Sequence, residues 1–196
     1  MMHDPCIKPL DIVDSLLHPQ AVAVRELLAV RDAPRSSLML IDDEENVQQA
    51  IQAGIQIQQL FFTADAAPSA ALVRALGKNT AVYEIARRTS KKLFKSNKFS
   101  RLFAIAKRPK PLGLHAFAGL QNDLIVLDRV AISGNVGAIL RTAVAFGAGG
   151  IVLLDSPLDV YDRRLIRASR GLLFRLPVVK ASSTELLAFC GRERRS

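Results

Sequence analysis

Two short apolar runs, "DLIVLD" (123–128) and "GIVLLD" (150–155), flank a stretch with helical spacing, "GNVGAILRTAVAFG" (134–147). Glycine stands before and after that stretch, which is helix punctuation. Short apolar runs bounded by turn residues suit buried strands. The order continues with a helical "YDRRLIRAS" (161–169), a third apolar run "LLFRLPVV" (172–179) and a short helix "STELLAFC" (183–190) that opens with Ser/Thr. Strands that alternate with helices in this way predict an α/β fold built on a parallel sheet.

The first half carries the same alternation. "DIVDSLLHPQAVAVRELLAVR" (11–31) has apolar residues at helical spacing and a break near Pro19. "SLMLI" (37–41) predicts a strand. "DDEENVQQAIQAG" (42–54) predicts a helix, with acids crowding its first turn and Gly54 to end it. Then follow a strand at 55–63, a helix at 68–77 between Pro and Gly, a strand at 80–85, a short basic helix from Arg87 and a strand at 101–109. "PKPLGLHAFAG" (109–119) holds two prolines and two glycines and predicts a linker. The expected organisation is an α/β domain at 1–110, a linker at 111–121 and a second α/β unit at 122–196.

The net charge is +9, from 27 Lys+Arg against 18 Asp+Glu. Its distribution says more than its size. Residues 87–110 hold ten Lys/Arg and no acid, and residues 163–175 hold five arginines and no acid. Solvated faces usually mix signs, so two acid-free blocks point to a polyanionic partner, nucleic acid first. The candidate nucleic-acid contacts are Arg87, Arg88, Lys91, Lys92, Lys95 and Lys98 on the short basic helix and beyond it. Arg101, Lys107 and Arg108 follow on the next strand, and Arg163, Arg164 and Arg167 lie in the second block.

Several classes are set aside. No apolar run approaches the roughly 18 residues needed to span a bilayer. The opening "MMHDPCIKPL" has an aspartate and two prolines where a signal peptide needs a basic end and an apolar block, so a cytoplasmic protein is expected. Cys6 and Cys190 stand at opposite ends, and His3, His18 and His115 make no metal spacing; no metal site is expected. GxGxxG, GKS and GKT are absent, which argues against a dinucleotide fingerprint and a P-loop.

The stretch "SGNVGAILRT" (133–142) is the densest candidate site. Arg141 follows Gly137 by four residues and Ala138 by three, so its stem lies above small side chains, where a ligand or a backbone can come close. Asn135 can cap the helix or hold a backbone loop. Plain alternatives stand beside these readings: Asn135 as an N-cap only, and Arg141 as a snorkelling surface arginine.

"DLIVLDRVAISGNVGAILRTAVAFGAGGIVLLDS", continued by "DRRLIRASRGLLFRLPVV", resembles the first motif region of the SpoU (TrmH-type) RNA 2′-O-ribose methyltransferases of the knotted SPOUT class. The basic "KLFKSNKFSRLFAIAKRPKP" is similar to the thiostrepton-resistance methyltransferases, whose first domain resembles the ribosomal L30e RNA-binding fold. The resemblance implies S-adenosylmethionine as methyl donor. It implies as acceptor a ribose hydroxyl of large-subunit ribosomal RNA, an adenosine in the region where thiopeptide antibiotics bind. It makes Asn135 and Arg141 the motif's asparagine and catalytic arginine, and Arg170 a second active-site arginine. It also implies a homodimer for the complete family fold. The family's later motifs, a Gly- and Glu-bearing loop and a Ser/Asn stretch before the last helix, find no counterpart after residue 180. The expected fold is therefore an L30e-like domain followed by an incomplete SPOUT domain lacking the C-terminal knot, and the residues that hold the cofactor stay unassigned. The alternative functions are an RNA-binding fragment without catalysis and, from a third class, an unrelated nucleotide-binding α/β protein.

Overall fold

The computed structural model describes residues 8–29, 37–95 and 99–193. Lys98, Cys6 and His3 lie outside the described residues. The chain divides into two compact units, Met1–Arg108 and Pro109–Ser196.

The first unit holds strands β1 (Asp11–Val13), β2 (Leu38–Asp42), β3 (Ile57–Phe62), β4 (Ala81–Ile85) and β5 (Leu102–Lys107) in one sheet of order β1-β4-β3-β5-β2. Helices α1 (Pro19–Ala29), α2 (Glu44–Gln52), α3 (Ala70–Ala75) and α4 (Arg87–Phe94) connect them. The sheet is mixed. β1, β3 and β4 run parallel, and β5 runs antiparallel to both β2 and β3. Gly54, at φ +79°, ends α2 as expected.

The expected helix over 11–31 is only half right. Asp11–Val13 is a strand paired with Tyr83–Ile85, and Val13 is fully buried there. The helix starts at Pro19, whose fixed φ suits a first helical position. His18 Nδ1 accepts the Gln20 N–H at 3.2 Å. In the core, Phe61 stacks on Phe103 at 4.8 Å and on Tyr83 at 5.2 Å, and Phe94 meets Phe103 edge-on at 5.1 Å.

The second unit is a parallel sheet of three strands among the described residues: β6 (Leu124–Asp128), β7 (Gly150–Leu154) and β8 (Val178–Ala181), with β7 in the middle. Helices α5 (Ser133–Ala145), α6 (Arg163–Ala168) and α7 (Ser183–Glu193) follow the strands in turn. On one face Val152, Leu154 and Val179 pack with Phe117 and with Phe189 of α7. Alternation sends Ile151 and Leu153 to the other face. There the buried residues Val136 and Leu140 of α5 and Leu165 and Ile166 of α6 complete the core.

Two expectations shift here. Residues 172–179 are not one strand: Leu172–Phe174 form a 3₁₀ turn, and the strand begins after Pro177. The Pro/Gly-rich stretch expected as a linker carries Phe117, which is fully buried in the second unit's core. A Cβ at Gly150 would lie 2.8 Å from Phe117 Cζ and 3.0 Å from the Pro177 carbonyl oxygen, so glycine at the start of β7 makes the seat for that ring. Among the described residues no helix is long and apolar enough to cross a membrane.

Candidate functional site

β6, β7 and β8 present their carboxyl ends on one edge, where open α/β sheets bind ligands. The chain leaves β6 through Arg129, at φ +50°, and leaves β7 through Asp155, at φ +46°. The two exits are tied together. Arg129 N–H donates to the Leu154 carbonyl at 3.0 Å, and the buried Ser156 hydroxyl donates to the Val130 carbonyl at 2.9 Å. Sequence reading missed Ser156, and no local signal marks it, because its partner belongs to another loop.

α5 then begins at Ser133, with Ile132 as its N-cap and no side-chain cap. Asn135 is therefore not the cap. It sits in the first turn, exposed, with its N–H on the Ile132 carbonyl at 3.0 Å and its amide turned to the surface. Arg141 is also exposed, two turns further on. The small-residue patch beneath it is used by backbone. A Cβ at Gly137 would lie 2.6 Å from the carbonyl carbon of Ala168 and 2.9 Å from its oxygen, so α5 and α6 cross at near-contact distance.

Just beyond that crossing, α6 ends in a Schellman motif. Gly171 N–H donates to the Ile166 carbonyl at 3.0 Å, and Arg170 N–H donates to the Arg167 carbonyl at 3.2 Å. Arg170 occupies the left-handed position, φ +53°, which such motifs normally give to glycine. The buried Ser169 hydroxyl closes the turn on the Ile166 carbonyl at 3.0 Å. A left-handed non-glycine residue costs roughly 1–2 kcal/mol, and strain of this kind gathers at functional sites. The crossing thus brings the Asn135/Arg141 helix and the Arg170 turn into one neighbourhood. Arg164 and Arg167 are exposed on α6, and Arg163 is half-buried; Asp162 caps this helix by accepting the Arg164 N–H at 2.7 Å.

The first unit's basic block divides in two. α4 buries Thr89, Ser90, Leu93 and Phe94 and exposes Arg87, Arg88, Lys91 and Lys92; Lys95 follows, exposed, at φ +47°. Arg101 is exposed beside this group, where β5 begins. Lys107 and Arg108 stand at the other end of β5, about 20 Å away at 3.3 Å per residue. They do not join the α4 cluster. Asp65, which sequence reading left out, binds Arg87 at 3.0 Å and Arg101 at 3.8 Å. Phe99 was also left out, although an aromatic within a basic run is a signal for nucleic-acid contact.

Asn135, Arg141 and Arg170 are all exposed, and the Gly134 position opens on space with no atom within 4 Å of a Cβ. Such a surface fits an anionic backbone. It does not wrap a nucleoside-sized donor, whose adenosyl group needs apolar walls.

A family model described as "Thiostrepton-resistance methylase, N terminus" matches residues 10–120, and the SpoU rRNA Methylase family model matches residues 123–194. The chain is 36% identical over 181 residues to a 23S rRNA (adenosine(1067)-2′-O)-methyltransferase of Streptomyces azureus, covering 90% of this chain and 67% of that protein. It is 39% identical over 185 residues to the enzyme of the same name from Streptomyces laurentii, covering 92% and 67%. A crystal structure of an RNA 2′-O ribose methyltransferase superposes with a TM-score of 0.78 at 26% identity, covering 93% of this chain and 70% of that one. The matches run through both units and through the Gly137–Arg141 helix and the Arg170 turn: the chain belongs to the thiostrepton-resistance methylases of the SpoU rRNA methylase family.

Proposed function

We propose that the chain serves S-adenosylmethionine-dependent methylation of a ribose 2′-hydroxyl in large-subunit ribosomal RNA, with an adenosine as acceptor, and that the described residues handle the RNA side of that reaction. The observation that carries this reading is Arg170 in a glycine seat, beside the helix of Asn135 and Arg141. SpoU methyltransferases use S-adenosylmethionine, which supplies an electrophilic methyl group on a sulfonium.

When bound, the donor would supply its methyl group to the ribose 2′-oxygen, whose proton would pass to water or to a phosphate oxygen. A guanidinium offers hydrogen-bond donors and no acceptor, so Arg141 does not remove that proton. It donates hydrogen bonds to the oxygen as negative charge develops there. Arg170 clamps a phosphate in two-point fashion and orients the acceptor nucleotide. Asn135 offers an amide donor and acceptor to the same nucleotide from the first turn of α5. Arg163, Arg164 and Arg167 add charge along the RNA backbone.

A second reading is RNA binding without catalysis, and the exposure of all three site residues favours it. One experiment separates the two. The purified chain is titrated with S-adenosylmethionine in a calorimeter, then incubated with tritiated donor and a 23S rRNA fragment containing the adenosine. Donor binding and label in the ribose support the enzyme. RNA binding with neither of them leaves the second reading standing. The homodimer belongs to the enzyme reading, and sedimentation of the same sample tests it.

A further inference from the structure

The exposed cations around α4 are not equivalent. Arg87 Nη1 lies 3.0 Å from Asp65 Oδ2, and its guanidinium carbon sits 5.4 Å from the centre of the Phe99 ring. Arg101 reaches the same aspartate oxygen at 3.8 Å, and Lys91 Nζ lies 5.4 Å from the same ring. The frame under this group is anchored. The Thr89 hydroxyl donates to the Asp14 carbonyl at 2.8 Å, and the Ser90 hydroxyl donates to the Ser100 carbonyl at 2.7 Å. Ser100 adjoins Phe99, so the helix and the ring are held together. Arg87 stands at the first position of α4 with 59% of its side chain exposed. One edge of its guanidinium is fixed by a carboxylate and its plane by a ring, and much of the side chain still faces solvent.

We propose that Arg87 is the oriented RNA anchor of the first unit, gripping phosphate oxygens through its planar fork, with Asp65 and Phe99 as its positioning residues. The proposal rests on the reading of this unit as RNA-binding. A diffuse electrostatic footprint needs only charge, and any lysine would serve. A pre-oriented guanidinium adds geometry that an ammonium cannot reproduce. Asp65 makes the distinction sharp. As a mere neighbouring carboxylate it repels RNA, and its neutralisation should tighten binding. As a positioning residue it holds the fork, and its neutralisation should weaken binding.

The test uses the full 196-residue chain and a 23S rRNA fragment around adenosine 1067, the nucleotide named for the Streptomyces relatives. A scrambled duplex of equal length is the control. Binding is measured across a salt series, with thermal unfolding to confirm that each variant folds. Arg87→Lys keeps the charge and should lower affinity for the fragment by about tenfold, with the salt slope unchanged. Arg74→Lys, at an exposed position on α3 outside the basic cluster, should leave affinity as it was. Asp65→Asn and Phe99→Leu should both weaken binding to the fragment and leave the weaker binding to the duplex unaltered. Arg87→Lys matching the wild type, or Asp65→Asn binding more tightly, overturns the anchor and spares the RNA-binding reading. A wild-type chain that binds neither RNA overturns both.

Discussion

Gly137 and Ala168 meet backbone to backbone: a Cβ at Gly137 would stand 2.6 Å from the Ala168 carbonyl carbon. This crossing packs α5, which carries Arg141 one turn further on, against the end of α6 that leads into Arg170. Gly137→Ala therefore forces α5 and α6 apart. Overpacking of this kind costs about 1–3 kcal/mol. Urea unfolding should show a lower midpoint for the second unit, and the α4 surface should bind RNA as before. An alanine variant of wild-type stability would mean that the crossing has slack which the geometry does not show.

Arg170 is placed at a cost that glycine would not bear. Arg170→Gly should raise the stability of the second unit by roughly 1 kcal/mol. If Arg170 clamps a phosphate as proposed, the same substitution should lower RNA crosslinking to the α6 turn. Stability and function moving in opposite directions is the expected signature of a strained working residue. If Arg170→Gly destabilises, the side chain is structural.

In the role proposed for it, Arg141 would act on charge that exists only as the new bond forms. In a family member with measurable turnover, the substitution equivalent to Arg141→Ala should lower single-turnover methylation by about 10²–10³-fold at saturating RNA. RNA affinity should change by less than about threefold, because the exposed side chain adds little to ground-state binding. A loss of affinity with an unchanged rate would assign Arg141 to docking.

The start of α7 is set by a reciprocal pair. Glu185 Oε2 accepts the Ser182 N–H at 2.7 Å and the Ser182 hydroxyl at 2.8 Å, and the Ser182 oxygen accepts the Glu185 N–H at 3.2 Å. The backbone N–H of Ser182, and then its hydroxyl, hold the Glu185 carboxyl below the usual value of 4.5. A lowered folded-state value means that the stabilisation is complete above that usual value and is lost as pH falls through the lowered one. Amide exchange in the first turn of α7 should therefore quicken as pH drops below about 4.5, after correction for intrinsic rates. Glu185→Gln should lack that added step.

The sequence by itself determined the elements whose signals are local. The apolar run 123–128, the glycine-bounded 134–147 and the run 150–155 return as β6, α5 and β7 almost residue for residue. Their periodicity and punctuation are complete within each segment. The order of Asn135, Gly137, Arg141 and Arg170 carried the family by the same token, since a motif is written along the chain.

The tertiary structure decided whatever depends on a distant partner. Asp11–Val13 is a strand because Tyr83–Ile85 offers it an edge, although its apolar spacing continues that of a helix. Phe117 is a core residue inside a Pro/Gly-rich stretch because Gly150 leaves room for its ring. Ser156 ties two loops, Asp65 holds Arg87, and Arg170 takes a left-handed seat because a capping turn closes over Ile166. None of these has a local signature. Each results from chain segments that meet only after folding, where hydrogen bonding and close packing outweigh the preference of any single residue.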